Sequence, residues 1–136
     1  MARILVIDDD PLVRFALRRV LGRATAEAEA HAIVEADGAD AGVTAARDGV
    51  FDLALVDMIM PERSGLDALP ALRALQPEIR MIAISGGARS DNGSMLAMAA
   101  RLGVTGVLRK PFTARELRQV VDRVLQGEAM PDGEEG

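Results

Sequence analysis

Five short apolar runs punctuate the chain: RILVI (3–7), HAIVE (31–35), DLALV (52–56), RMIAI (80–84) and TGVLR (105–109). Runs of this length, rich in Val, Ile and Leu and ending in polar or glycine-rich residues, predict buried strands of a parallel sheet. Helical periodicity fills the stretches between them. In the last of these, Thr113 and Glu116 form a capping box, and Leu117, Val120, Val121, Val124 and Leu125 follow on one face. In the first, Asp10 is placed to cap and Pro11 suits the opening turn, with Val13, Ala16, Leu17, Val20 and Leu21 sharing a face.

Three stretches fit the pattern less well. GRATAEAEAHA (22–32) alternates like a strand but is built from good helix formers, and reads as a prolonged end of the first helix followed by a loop. GADAGVTAARDG (38–49) is a weak helix with Gly42 inside it, and Pro70 falls within the third helix, where a kink is expected. Strand alternating with helix five times predicts an α/β domain, a doubly wound five-stranded parallel sheet of flavodoxin-like strand order 2-1-3-4-5.

Composition narrows the possibilities. A length of 136 residues, 49% of them apolar, fits one globular domain, expected over 1–126, with 127–136 as a flexible acidic tail. A net charge of −5 argues against nonspecific nucleic-acid binding, and three Phe with no Tyr or Trp leave few rings for base stacking. There is no cysteine, hence no disulfide or thiolate site, and no apolar run of membrane-spanning length. The expectation is a cytoplasmic single-domain protein that touches neither nucleic acid directly nor membrane.

Chemistry gathers where the predicted strands end. The first ends in Asp8, Asp9 and Asp10, the third in Asp57, the fourth in Ser85 and the fifth in Lys110. In a parallel sheet these ends share one edge, so residues distant in sequence converge there. Asp8, Asp9 and Asp57 against Lys110 leave a formal charge of −2, which should raise at least one carboxyl pKa. An all-oxygen set without His or Cys favours Mg²⁺, which keeps open positions that a phosphate oxygen can take. Lys110 and the Ser85 hydroxyl would meet further phosphoryl oxygens, and Asp57 itself is placed to attack phosphorus.

The motifs VIDDDP, LVDMIMP, AISGG and LRKPF, in this order and at this spacing, resemble the receiver domain of two-component response regulators over about residues 2 to 126. The resemblance implies that Asp57 accepts a phosphoryl group from a histidine kinase or histidine phosphotransfer protein. It implies that Asp8, Asp9, Asp57 and the Ile59 backbone carbonyl hold Mg²⁺, that Ser85 and Lys110 contact the phosphoryl group, and that a cis peptide precedes Pro111. Phosphorylation and dephosphorylation are then self-catalysed, and the protein is not a turnover enzyme. It signals through protein contacts, as a monomer or a weak phospho-dependent homodimer. One position departs from the family: Val107 stands where many receivers carry the Tyr or Phe that swings inward on activation. The readout is therefore expected from backbone movement of the loops after the third and fourth strands, GGARSDNGS (86–94) above all.

Arg14 and Arg18, four apart on the first helix with Phe15 beside them, form a candidate docking surface for the phosphodonor; solvated charge is the plainer reading. His31 is expected to be a surface residue, and Met58, Met60, Met95 and Met98 to be core. Two rival functions are a receiver fold working without phosphorylation, which Val107 favours, and a haloacid-dehalogenase-type phosphatase. The second is weakened because Pro11 and Leu12 follow Asp8-x-Asp10 and no cap domain is present.

Overall fold

A strand with no polar position on either side must lie between two layers of helices. The computed structural model, which describes residues 1–26, 28–60, 64–86 and 92–127, arranges the chain in this way. Its elements are β1 (Arg3–Ile7), α1 (Pro11–Leu21), β2 (Ala32–Ala36), α2 (Ala39–Asp48) and β3 (Leu53–Asp57), then α3 (Gly65–Leu75), β4 (Arg80–Ser85), α4 (Asn92–Arg101), β5 (Val104–Arg109) and α5 (Ala114–Leu125). The five strands form one parallel sheet in the order β2-β1-β3-β4-β5, as the pattern predicts.

Alternation along the central strands sorts the core into two layers. Ile4, Val6, Leu53, Leu55, Ile82 and Ile84 face α1 and α5, where Leu17, Leu117, Val121 and Val124 meet them. Leu5, Ile7, Ala54, Val56, Met81 and Ala83 face the other way, onto Ala46, Leu69, Leu72 and Ala99 of α2, α3 and α4. All five residues of β3 are buried. At roughly 1.5–3 kcal/mol per large side chain, this burial makes the sheet a rigid base for its own edge. Gly42 explains the weak helix α2: a Cβ there would sit 2.3 Å from Ile7 Cδ1, so the glycine lets α2 lie close on β1.

The caps follow the sequence. Asp10 accepts from the Leu12 amide with Pro11 next to it, and Thr113 and Glu116 complete the capping box of α5. Helix α3 runs through Pro70, which lies on its exposed side.

Helix 1 is not prolonged. It stops at Leu21, where the Gly22 amide closes on Arg18 O and the His31 amide takes Leu21 O. The segment that follows is one of Ala alternating with polar residues, so it has no apolar face of 3.6-residue period to pack, and helix propensity alone does not carry a short stretch. His31 is half-buried rather than a plain surface residue, and its Nδ1 accepts from the Ala2 amide at 3.0 Å. Burial, with the N-terminal ammonium adding to it, lowers its pKa. Met58 and Met60 are core and Met95 packs on its margin. Met98 is not core, being 50% exposed on α4. The expected 86–94 loop is shorter than the sequence suggested, since 92–94 open α4; Pro61, residues 87–91 and the tail from 128 lie outside the described residues, as do the expectations that fall on them. No helix among the described residues is long and apolar enough to cross a membrane.

Candidate phosphoryl and metal site

The sheet delivers its acidic residues because β1 and β3 are neighbours and end together. Ile7 pairs with Val56, so the next residues, Asp8 and Asp57, emerge side by side. One carboxylate oxygen from each of Asp8, Asp9 and Asp57 lies within 4.8 Å of the others. Asp8 and Asp57 are buried and Asp9 is exposed, so the cluster opens to solvent on the Asp9 side.

Each buried carboxylate is half occupied. Asp8 Oδ1 accepts from the Asp10 amide at 2.9 Å, and Asp57 Oδ1 accepts from the Ile59 amide at 3.1 Å. The other oxygens face Lys110, whose Nζ lies 3.3 Å from Asp8 Oδ2 and 3.4 Å from Asp57 Oδ2. Only the Asp57 contact has hydrogen-bond geometry, and Asp8 Oδ2 is a buried oxygen without a hydrogen bond. One ammonium thus serves two carboxylates and satisfies neither fully.

The electrostatics follow. Burial and then the Asp8 charge push the Asp57 carboxyl up to about 6, against the Ile59 amide and Lys110, which favour its ionised form. For Lys110, burial works against the ammonium, but Asp57 and Asp8 outweigh it and raise the pKa. Buried oxygens under mutual repulsion, one of them without a hydrogen bond and all of them hard, fit a divalent cation. Asp8, Asp9 and Asp57 are the residues that could hold it.

A backbone clamp orients Asp57. The Met58 amide donates to Ile84 O at 3.0 Å, and Met58 O accepts from the Ser64 hydroxyl at 3.0 Å and the Gly65 amide at 3.2 Å. A Cβ on Gly65 would fall 2.0 Å from Asp57 O, so this approach requires glycine. Neither Ser64 nor Gly65 was among the expected site residues. The available signal was a serine just before an apolar helical run, the mark of an N-cap, and Ser64 does accept from the Leu66 amide.

Ser85 is buried at the end of β4, its hydroxyl donating to Gly86 O at 3.4 Å; no hydrogen bond among the described residues joins it to the acids. The Lys110–Pro111 peptide is cis, as the resemblance implied. Ile59 is 46% exposed beside Asp57. Val107 is half-buried on β5 and lines an open groove with Pro111, Glu116 and Gln119, on the edge where an aromatic ring was missing from the pattern. Phe15 is 59% exposed. Arg14 and Arg18 both bond Glu35 on β2, and Arg14 also reaches back to Asp8 O, a contact that no sequence spacing announces.

Residues 4–122 match the family model of the response regulator receiver domain. The chain belongs to that family. It is 34% identical to the DNA-binding transcriptional regulator NtrC of Azospirillum brasilense, over 96% of this chain but 25% of that protein. It therefore spans about a quarter of the length of the NtrC relatives it matches. To Protein PilH of Pseudomonas aeruginosa it is 30% identical over 93% of this chain and 100% of that one. Among solved structures, a CheY-like receiver domain protein from Methanospirillum hungatei superposes with a TM-score of 0.80 at 26% identity, covering 93% and 95% of the two chains. Receivers are signalling modules and not turnover enzymes, and the acidic trio of this receiver sits at the β1/β3 edge where open α/β sheets bind ligands.

Proposed function

We propose that this receiver accepts a phosphoryl group on Asp57 from a histidine kinase or histidine phosphotransfer protein, and passes the signal on by protein contacts. The observation that carries the reading is the buried Asp8–Lys110–Asp57 arrangement, two carboxylates sharing one ammonium that hydrogen-bonds only the second of them. Asp57 Oδ2 attacks phosphorus, an O–P bond forms, and the N–P bond of the donor phosphohistidine breaks with its electron pair returning to the imidazole. With a pKa of about 6, Asp57 is mostly ionised at pH 7 and available as the nucleophile.

Lys110 is placed to exchange part of its contact with Asp57 for a phosphoryl oxygen as negative charge moves off the carboxylate. Among the described residues, the Ser85 hydroxyl has only a long bond to Gly86 O to give up before donating to another oxygen. The Ile59 amide holds Asp57 Oδ1 so that Oδ2 is the attacking atom. Mg²⁺, held by Asp8, Asp9, Asp57 and the Ile59 carbonyl, would supply charge neutralisation and an oxygen-binding position for the incoming group. Of Arg14, Phe15 and Arg18 on α1, the exposed Phe15 and Arg18 are the proposed contacts for the phosphodonor, Phe15 being its apolar anchor, whereas Arg14 is mostly buried against Asp8 O and Glu35. Phe15→Ala is expected to slow transfer from the cognate protein donor and to leave transfer from a small phosphodonor unchanged.

The decisive experiment is incubation with Mg²⁺ and a small acyl phosphate, followed by intact mass. A phosphoryl adduct on wild type and none on Asp57→Asn is the expected result. No adduct on either would move the reading to a receiver fold that works by contacts alone, the alternative that Val107 favours. Steady hydrolysis of an added phosphomonoester would instead favour a phosphatase.

A further inference from the structure

Arg14 lies on helix α1, yet its side chain is only 17% exposed. Nη1 donates to the Asp8 backbone carbonyl at 2.7 Å, and Nε donates to Glu35 Oε1 at 3.1 Å. Arg18, one turn later, donates to the other oxygen, Glu35 Oε2. The Arg18 hydrogen bond, joined by that of Arg14 and outweighing burial, holds the Glu35 carboxyl below the usual range. Glu35 is therefore a fixed anion, gripped from both sides, and it fixes the Arg14 fork in turn.

The Asp8 main chain is held at both ends. Its amide donates to Ala36 O at 3.1 Å, next to Glu35 on β2, and its carbonyl takes Arg14. Between these anchors its side chain is fully buried, with Oδ1 occupied by the Asp10 amide and Oδ2 ion-paired with Lys110 at 3.3 Å but without a hydrogen bond among the described residues. A short chain of bonds thus runs from β2 through Glu35 and Arg14 to the residue whose Oδ2 shares the Lys110 ammonium with Asp57.

We propose that Arg14, held by Glu35, is a positioning residue for the cation site: it fixes the Asp8 backbone so that Oδ2 is presented to a divalent ion. The proposal rests on the reading of Asp8 as a metal-holding carboxylate. Its sign separates it from simple electrostatics. Arg14 carries a positive charge toward a cluster of acids, so on charge alone its removal raises the affinity for a dication. If Arg14 acts by orientation, removal lowers it. Lys at this position keeps the charge but lacks the planar fork that spans Asp8 O and Glu35 at once.

The test is calorimetric titration of the full chain with Mg²⁺ in metal-depleted buffer, with the melting temperature of each metal-free variant recorded beside it. Arg14→Gln is expected to raise the Mg²⁺ Kd by about tenfold, the size of effect common for groups that orient a ligand. Arg14→Lys is expected to raise it by about threefold or more. Arg19→Gln, an equal charge change at an exposed position of the same helix, is expected to stay within about twofold. A Kd that is unchanged or lower in Arg14→Gln and Arg14→Lys overturns the assignment. Should Arg14→Gln fail to fold, Arg14→Lys decides alone. Absence of Mg²⁺ binding by wild type would overturn the reading of Asp8 itself, and this proposal with it. Wild-type binding with unaffected variants would overturn the Arg14 role only.

Discussion

The two edges of the sheet carry similar polar side chains and use them in opposite ways. At the edge where the strands begin, partners are supplied throughout. Gln76 accepts from the Phe51 amide and donates to Ala46 O and Gly49 O, tying the end of α3 to the α2–β3 turn. Arg73 donates to Pro77 O, Ile79 O and Gly103 O, and Arg80 to Leu125 O. Arg3 lies over the Phe51 ring, its side chain bonding Val50 O and its amide bonding Asp52. At the edge where the strands end, Asp8 and Asp57 compete for one lysine, which hydrogen-bonds Asp57 and only ion-pairs with Asp8. Groups that serve stability are saturated within the protein; the groups proposed to serve a ligand are not. The starting edge closes the fold and the finishing edge is reserved.

Removing a side chain from the closed edge should therefore destabilise, and neutralising one at the reserved edge should stabilise. The largest effect is expected at Gln76. Gln76→Ala abandons three short hydrogen bonds to part-buried backbone, a loss of about 3 kcal/mol in denaturant unfolding, with Mg²⁺ affinity unchanged. A change in Mg²⁺ affinity there would mean that the two edges are coupled and the division is false. Next in size is Mg²⁺ itself. At a hundredfold excess over Kd it should raise wild-type stability by about 2.7 kcal/mol, and Asp57→Asn should lose most of that gain.

A carboxyl displaced from 3.8 to about 6 costs about 3 kcal/mol at pH 7.5, and Asp57→Asn, which gives up the charge attraction of Lys110, is expected to recover about 2 kcal/mol of it in the metal-free protein. The folded state holds this proton more tightly than the unfolded state. Wild-type stability from this group is then greatest below pH about 4 and falls as the pH rises through about 6. The advantage of the variant should accordingly fade on acidification and be complete above pH about 7. Unfolding curves across pH 4–8 check the sign, and a variant less stable than wild type at pH 7.5 would remove the claim of a crowded site.

The finishing edge was legible in the sequence because strand ends in a parallel sheet converge by topology, without any long-range contact being known. Asp8, Asp57, Ser85 and Lys110 needed only the strand boundaries, and those were displaced by a residue at most. What the pattern did not carry was whatever depends on one side chain reaching across elements. Arg14 looked like surface charge on a helical stripe, and only the packing of α1 beside β2 brings it to Glu35 and Asp8. Gln76 stood out in no motif, because a carboxamide that bonds three backbone groups has no periodicity. The misread end of helix 1 has the same origin. Propensity over 22–32 favoured helix, while the bond from His31 to Leu21, made possible by β2 pairing with β1, decided against it.

The smallest expected effect gives the cleanest test of the two edges, since it uses the same residue type. Asp52 stands just before β3 and Asp57 ends it, so one strand carries an aspartate at each edge. Asp52 Oδ2 accepts from the Arg3 amide at 2.8 Å in an exposed position, and the Arg3 carbonyl accepts from the Asp52 amide at 2.9 Å. Asp52→Ala should cost about 0.5–1 kcal/mol, the usual size for an exposed hydrogen bond. Five residues on, Asp57→Asn should change stability with the opposite sign in metal-free buffer. Mg²⁺ should reverse only the second, because the ion restores the advantage of a carboxylate at the reserved edge and, among the described residues, has no acidic cluster at the other. If both substitutions destabilise equally and neither responds to Mg²⁺, Asp57 is as fully satisfied within the fold as Asp52, and a ligand is not needed to explain its place.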